Sequence, residues 1–427
     1  MNLKELKINI ESGALDTRFA ELYDVSAVFV QRERYLLALD SFAEIFGDER
    51  DVSIYSVSGR SELAGNHTDH NCGKVIAASI NLDIIAVASK NNSNVINLKS
   101  EGYRMLSIDF DEYSEPNSKH FGTSASLIAG MCAGFRENGY CVGGFDAYCT
   151  SSVLRGSGLS SSAAFEDMIG NILNHEFNGG KVDNVEIAKL AQYSENVYFG
   201  KPCGLMDQVA CAYGGIVAID FEDTKNPIIE KIDFDLTDAG YNLCIVDTGG
   251  NHADLTDDYA SVPAEMKSVA AYFGRTHLRL CTLDEVLANA KEIRENCGDR
   301  ALMRAIHFFR ENERVDGMKN ALKENDLGEY FAGVLESGRS SFCYLQNVYT
   351  TKNVSEQGLS LALCITEGFL KNRKGAFRVH GGGFAGTIQA YIAEEDVELY
   401  RTTMDSVFGA GACLVLRVRR DGAIKVI

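Results

Sequence analysis

The clearest hydrophobic pattern in the chain lies between residues 160 and 178. Five apolar residues recur there at the i, i+3, i+4, i+7, i+8 spacing that places them on one face of a helix: Phe165, Met168, Ile169, Ile172 and Leu173. Glycines follow at positions 179 and 180, and glycine is typical just beyond the end of a helix. The pattern therefore predicts an amphipathic helix with one side packed against a core.

Weaker patterns divide the rest of the chain into helices and strands. Helical periodicity predicts helices at 19–46, 124–139, most of 263–338, and 354–371. Apolar or alternating runs predict a strand pair at 74–89 and single strands at 216–221, 241–248, 386–392 and 412–419. Strands and helices do not alternate regularly, which favours the α+β class.

Composition and charge narrow the function classes. The chain has 427 residues, with 41 Lys and Arg against 60 Asp and Glu, so its formal net charge is −19. Such an acidic chain lacks the basic face that nucleic acids and anionic membranes require. The first twenty residues contain no signal-peptide pattern, and the twelve cysteines show no metal-ligand spacing. We expect a cytoplasmic protein with reduced thiols, no nucleic-acid partner and no membrane span.

A glycine- and serine-rich segment, GSGLSSSAA at 156–164, precedes the predicted amphipathic helix. A helix N-terminus presents free N–H groups and favours an anion, so the segment could bind phosphate. Alternatively, a serine simply caps the helix after a tight turn. The segment is not a Walker A loop, because GxxxxGK[ST] is absent, and its spacing does not fit a dinucleotide-binding fingerprint.

Three separated segments, taken together, resemble the three motifs of the GHMP small-molecule kinases: GRSELAGNHTDHNCG at 59–73, GSGLSSSAA at 156–164 and GGGFAG at 381–386. The segment CGLMDQ at 203–208 resembles one found more particularly in galactokinases. Further resemblance to galactokinases lies in RAIHFFRENERV at 304–315 and ESGRSSFCYL at 336–345.

The resemblance implies a two-lobed α+β GHMP kinase fold. It predicts a helical N-terminal extension at 1–49, a domain similar to ribosomal protein S5 domain 2 at 50–220, and a ferredoxin-like domain at 221–427. It also implies an ATP-dependent kinase that phosphorylates the anomeric hydroxyl of a galactose-type sugar. ATP, Mg²⁺ and the sugar would be its partners, and we expect a monomer or a weak dimer.

The resemblance also assigns roles to residues. Asp207 matches the proposed general base, and Arg60 matches the arginine that keeps this base ionised and stabilises the transferring group. Ser162 and Glu195 resemble the Mg²⁺ pair. Phosphate binding is implied for four residues of the glycine- and serine-rich segment: Gly156, Gly158, Ser160 and Ser161. Without the resemblance, Asp207 would be interpreted as a helix-capping carboxylate and Arg60 as part of a surface ion pair.

Sugar binding is implied for His67, Asp69, Gly204 and Tyr259, of which Tyr259 has the weakest alignment. Asn66 stands where the family usually has a glutamate that contacts the sugar, generally at the C6 hydroxyl. An amide both donates and accepts hydrogen bonds and carries no charge. Galactose would still fit beside Asn66, and a C6 carboxylate, as in galacturonate, would be repelled less.

Three hypotheses follow from these residues. A galactokinase is favoured, and a kinase for galacturonate or an N-acetylated hexosamine is the nearest alternative. The third is a non-catalytic sensor of sugar and ATP. The presence of Arg60, Asp207, Ser162 and Glu195 favours an enzyme over a sensor.

Overall fold

The computed structural model describes residues 1–113, 115–153, 158–201, 203–250 and 255–427. The described residues form two β-sheets. Their strands are β1 Ser53–Ala64, β2 Lys74–Lys90, β3 Val95–Ser100, β4 Leu106–Asp109, β5 Phe145–Ser151, β6 Ile216–Asp220, β7 Ile228–Ile232, β8 Tyr241–Asp247, β9 Gly375–Val379, β10 Thr387–Ala393, β11 Cys413–Leu416 and β12 Ile424–Lys425.

Helices surround these sheets. They are α1 Leu3–Glu11, α2 Asp16–Tyr23, α3 Val28–Phe46, α4 Ser124–Glu137, α5 Ser161–Phe177, α6 Asn184–Tyr193, α7 Met206–Tyr213, α8 Thr256–Tyr272, α9 Leu283–Ala288, α10 Ala290–Cys297, α11 Asp299–Lys323, α12 Leu327–Ser340, α13 Gly358–Leu370 and α14 Val397–Phe408. The helix predicted at 160–178 is confirmed as α5. Among the described residues, no helix combines the length and apolar character needed to span a membrane.

The long strand β2 lies at the centre of the first sheet, whose main order is β12-β1-β2-β5-β3-β4. One end of β2 pairs with β5 and the other with β6, which in turn pairs with β7. The prediction of a strand pair at 74–89 is therefore wrong. Asn81 and Asp83 suggest a turn, but the structure keeps them in strand geometry, and Asp83 is buried against Arg34 and Arg419.

Both faces of the first sheet are covered, because successive residues of a strand point to opposite sides. Tyr55 belongs to the core that the sheet forms with α4, α5, α6 and α7. Its neighbour Ile54 belongs to a second core, formed with α1, α2 and α3. The helical extension predicted at 1–49 thus packs on the sheet, with a break in the predicted 19–46 helix between α2 and α3.

The second sheet has the order β11-β8-β10-β9 and is antiparallel throughout. Helices α13 and α14 cover it with a third apolar core. Helices α8 to α11 contribute most residues of a further apolar core, which Leu345 and Phe384 join. The domain boundary at 220 stays a prediction, and the first sheet also takes in β7 and β12 from beyond it.

Candidate active site

Asp207 and Arg60 form an ion pair at the centre of the candidate site. Asp207 lies in the first turn of α7, and Arg60 projects from β1 with only 7% of its surface exposed. The Arg60 Nε atom donates to Asp207 Oδ1 at 2.8 Å, and Nη2 lies 2.7 Å from the same oxygen as an ion pair. About a third of the Asp207 side chain (34%) remains exposed. The structure thus brings the two predicted catalytic residues together and leaves the carboxylate accessible.

The remaining contacts of this pair reach the start of α5. The Ser160 hydroxyl donates to Asp207 Oδ2, and Arg60 Nη1 donates to the carbonyl oxygen of Gly158. Burial acts to raise the pKa of Asp207, but the Arg60 charge and the hydrogen bonds from Ser160 and Arg60 hold it below its usual value. Asp207 is therefore an ionised carboxylate at neutral pH.

The predicted phosphate-binding residues lie at the N-terminal end of α5. Ser161 and Ser162 form the first turn of this helix, where backbone N–H groups lack intrahelical partners and the helix dipole favours an anion. Ser160 precedes them, and its side chain is directed to Asp207 rather than left free for a phosphate. Gly156 lies outside the described residues. Gly158 lines a cavity of about 320 Å³ together with Gly382, Gly383, Ala385 and Gly386 of the third motif.

A cluster of buried carboxylates lies beside this helix end. Glu195 is 3% exposed, and its two oxygens accept from Lys201 Nζ and Gln208 Nε2, each at 3.0 Å. The same Gln208 amide lies 3.4 Å from Glu166 Oε2. Within the described part of the chain, Glu166 Oε1 has no hydrogen-bond partner. Burial, together with the negative charge of Glu195, raises the pKa of Glu166 well above its usual value.

The oxygen atoms of these carboxylates and of the nearby Ser162 hydroxyl are chemically suited to bind a hard cation. Ser162 stands four residues before Glu166 on α5, so the two side chains share one face of the helix. A hydroxyl and carboxylates are oxygen ligands of the kind that Mg²⁺ accepts. In the described ranges, no group of three or more His, Cys, Asp or Glu side chains is arranged to hold a metal ion. A small number of protein ligands is sufficient for a Mg²⁺ that is also bound by phosphate oxygens.

Four predicted sugar-binding residues line one cavity of about 130 Å³ with Asp207 and Arg60: His67, Asp69, Gly204 and Tyr259. The His67 ring lies 5.2 Å from the Tyr259 ring, and its Nε2 donates to the carbonyl oxygen of Gly382 at 2.8 Å. Burial lowers the pKa of His67 to about 4. The ring is neutral at neutral pH, so its Nδ1 is an acceptor for a hydroxyl.

Asn66, the fifth predicted sugar-binding residue, does not reach the wall of this cavity. Its side chain is fully buried, with Nδ2 donating to Gly381 O at 2.7 Å and to Glu62 Oε1 at 3.2 Å. Its Oδ1 accepts from Asn347 at 2.8 Å and from Ser341 at 3.2 Å. These contacts use the hydrogen-bonding capacity of the amide within the protein. Glu62, which the sequence interpretation missed, lines the cavity instead.

Helix α11 holds the segment 65–73, which carries predicted sugar-binding residues. His307 Nε2 donates to the carbonyl oxygen of Asn66 at 3.0 Å, and Glu311 Oε1 accepts from the N–H groups of Gly65 and Asn66 at 3.3 and 3.4 Å. Asn312 Oδ1 accepts from the Lys74 N–H at 2.7 Å. The resemblance at 304–315 drew attention to this helix but assigned these side chains no role. They position the backbone that carries His67 and Asp69.

Two glycines of the site lie where an added Cβ would collide with a neighbouring atom. Gly65 has φ of +93°, and a Cβ there would collide with the carbonyl oxygen of Lys74. A Cβ at Gly382 would collide with the Cε2 atom of the Tyr259 ring. The third motif therefore contributes backbone: its carbonyl groups at 381 and 382 accept from Asn66 and His67, and it leaves space for Tyr259.

We expect Gly382→Ala to raise the KM for the sugar roughly 3- to 10-fold, the loss expected for about one hydrogen bond. The added methyl group displaces the Tyr259 ring, which is 43% exposed, so we expect the melting temperature to change little. Steady-state kinetics and thermal unfolding check both effects. The matched control is Gly317→Ala on α11, where a Cβ meets no atom within 4 Å. An unchanged KM in Gly382→Ala would contradict the predicted role of Tyr259 in sugar binding.

Comparisons with known proteins identify the family. Residues 40–90 match the galactokinase galactose-binding signature, and residues 125–215 match the GHMP kinases N terminal domain. A galactokinase from Actinobacillus pleuropneumoniae is 30% identical over 386 residues, which cover 86% of this chain and 91% of that protein. The chain belongs to the galactokinase family. A galactokinase from Streptomyces coelicolor is 29% identical, over 89% of this chain and 94% of its own length.

Solved structures agree on the fold. The structure of Lactococcus lactis galactokinase complexed with galactose has a TM-score of 0.77 at 24% identity, covering 92% of this chain and all of that one. A mevalonate kinase structure has a TM-score of 0.60 at 16% identity, covering 86% of this chain and 98% of that one. The two-lobed α+β GHMP kinase fold is thereby confirmed. The two matched family segments contain four of the residues that line the cavity, Arg60, His67, Asp69 and Asp207, whereas Tyr259, Gly381 and Gly382 lie outside them.

Proposed function

We propose that this galactokinase family member transfers the γ-phosphoryl group of ATP to the C1 hydroxyl of galactose. The observation that carries the proposal is the accessible, ionised Asp207 carboxylate in the cavity lined by His67, Asp69 and Tyr259. Neutral imidazole, carboxylate and phenol groups supply the mixed donors and acceptors that a hydroxyl-rich ligand requires. The transferred group would approach from the adjoining cavity beside Gly158.

In the proposed step, Asp207 accepts the proton of the C1 hydroxyl while the hydroxyl oxygen attacks the γ-phosphorus. The bond between this phosphorus and the β,γ-bridging oxygen breaks, and ADP leaves. Phosphoryl transfer depends on positioning and electrostatics, with little covalent chemistry for the protein to perform. Arg60 orients the carboxylate through a hydrogen bond and an ion-pair contact to one oxygen, and Ser160 donates a hydrogen bond to the other oxygen.

Arg60 also links the base to the phosphate-binding segment, because its third nitrogen donates to Gly158. In this arrangement every nitrogen of the guanidinium group has a protein partner. We therefore infer that Arg60 chiefly sets the position and charge of Asp207. The N–H groups at the start of α5 are suited to meet the phosphate charge.

The proposed cation is Mg²⁺, held by Ser162 and Glu195 with Glu166 beside them. When bound, Mg²⁺ would neutralise phosphate charge during transfer. Lys201 ion-pairs with Glu195 at 3.0 Å and also lines the sugar cavity. Lys201 therefore links the proposed cation site to the cavity that contains Asp207.

A substrate panel tests the proposed reaction. We expect Mg²⁺- and ATP-dependent phosphorylation of galactose with a kcat/KM at least about tenfold above those for galacturonate and N-acetylgalactosamine, since differential contacts of this kind set specificity. The rates are measured as ADP release with each sugar at matched concentrations. A higher kcat/KM for galacturonate would contradict the galactose assignment, and sugar binding without ADP release would favour the sensor hypothesis. The predicted monomer or weak dimer stays a prediction.

A further inference from the structure

Glu62 projects into the sugar cavity from the same strand as Arg60. The two residues are separated by one position on β1, so their side chains share a face of the strand. Both line the cavity that contains Asp207. The Glu62 side chain is only 6% exposed. Burying a carboxylate at a cavity wall costs free energy unless the group has partners, so the contacts of Glu62 indicate its role.

The partners of Glu62 lie on one side of its carboxylate. Arg378, which is completely buried, donates to Oε1 through Nη2, and Asn66 Nδ2 donates to the same oxygen at 3.2 Å. Among the described residues, all hydrogen bonds and ion pairs of this carboxylate fall on Oε1. Oε2 therefore keeps its capacity to accept a hydrogen bond, on a side chain that lines the cavity.

The charges around the cavity determine which ligands it favours. Three carboxylates line it: Glu62, Asp69 and Asp207. The two lining cations are already engaged, Arg60 with Asp207 and Lys201 with Glu195. Such a wall accepts hydrogen bonds from neutral hydroxyl groups and repels an added carboxylate.

We propose that Glu62 is a specificity-determining residue of the sugar pocket, whose Oε2 accepts a hydrogen bond from a sugar hydroxyl and whose charge disfavours acidic sugars. This proposal rests on the proposed function, since it takes the cavity as the galactose site. Arg378 and Asn66 hold the carboxylate in place. Asn66 then acts on the sugar through Glu62 and is a positioning residue.

Replacing Glu62 by Gln tests the proposal by direct binding. Isothermal titration calorimetry measures the Kd of galactose and of galacturonate for the wild type and for Glu62→Gln. We expect galactose binding to weaken about tenfold, because a charged acceptor is lost. We expect the galacturonate-to-galactose Kd ratio to fall by about tenfold or more, because the repulsion is removed.

Asp146→Asn is the matched control, because Asp146 is also a buried carboxylate (6% exposed) paired with an arginine, Arg50, and does not line the cavity. If Glu62 has only a structural role, both variants will have a lower melting temperature and an unchanged galacturonate-to-galactose Kd ratio. That result would overturn the proposal. If Glu62→Gln fails to fold, Glu62→Asp is tested instead. Because this variant keeps the charge, we expect it to retain discrimination against galacturonate.

Wild-type protein that binds galactose without phosphorylating it would overturn the proposed function alone. Wild-type protein that binds no galactose would overturn both.

Discussion

Replacing Asp207 by Asn is expected to lower kcat about 10²- to 10⁴-fold, the range typical of losing a positioned general base. The amide cannot accept the hydroxyl proton at neutral pH, although its carbonyl oxygen can still receive the hydrogen bond that Arg60 donates to Oδ1. Sugar binding changes much less than turnover, since the cavity keeps His67, Asp69 and Tyr259. Steady-state ADP release and galactose titration measure the two effects.

The comparison with Asp207→Glu separates the proton-accepting group from its position. A longer carboxylate keeps the base but shifts it relative to Arg60 and Ser160, so we expect an intermediate kcat. Thermal unfolding of each variant shows whether the loss of activity follows a loss of structure. Turnover by Asp207→Asn within a factor of a few of wild type would rule out Asp207 as the base.

The second large effect concerns stability and the N-terminal helices. Asp83 is fully buried on β2 and accepts from Arg34 of α3 at 2.6 Å and from Arg419 near the C-terminal end at 3.1 Å. The hydroxyl groups of Ser56 and Tyr23 complete its contacts. This carboxylate joins three parts of the chain that are distant in sequence: the extension, the first sheet and the C-terminal segment.

We expect Asp83→Ala to reduce the free energy of unfolding by about 3–5 kcal/mol, because the change leaves the fully buried Arg419 and the partly buried Arg34 (17% exposed) without their carboxylate. Urea unfolding measures this loss. The control is Asp299→Ala, which breaks an ion pair to Arg294 whose side chains are both more than 60% exposed (63% and 66%) and which is expected to have little effect. Equal losses in the two variants would show that burial of the Asp83 cluster does not matter.

The same carboxylate gives the stability a pH dependence. Burial acts to raise the pKa of Asp83, but Arg34, Arg419 and the hydroxyl hydrogen bonds hold it below the usual value. A group whose pKa is lower in the folded state contributes stability above its unfolded pKa and loses it as the pH falls through its folded pKa. Acid unfolding of the wild type should therefore include a contribution that Asp83→Ala lacks.

Sequence patterns predicted much of the architecture, and the reasons are local. Helix α5 was predictable because its apolar residues repeat at helical spacing and glycines follow it. The strand β2 was misinterpreted because Asn81 and Asp83 are residues typical of turns. Only the tertiary structure places two arginines, from positions 34 and 419, around Asp83. No local pattern carries that information.

At the site, the motifs identified which segments take part, but they did not predict where every side chain points. Arg60, His67, Asp69 and Asp207 meet as expected at one cavity. Asn66 differs from that expectation, because its amide is turned into the protein, and Glu62, which the motifs did not single out, lines the cavity instead. One sequence signal could have found Glu62, since it alternates with Arg60 along a strand. The burial of Asn66 by Ser341 and Asn347 depends on contacts across more than 270 residues and was not predictable.

Product identification tests the central claim most directly. The enzyme is incubated with ATP, Mg²⁺ and galactose, and the product is examined by proton and phosphorus NMR. We predict a phosphate coupled to the C1 proton of the sugar, formed by the wild type and nearly absent with Asp207→Asn at equal protein concentration. Phosphate on another carbon, or an equal yield of the C1 phosphate from Asp207→Asn, would contradict the account.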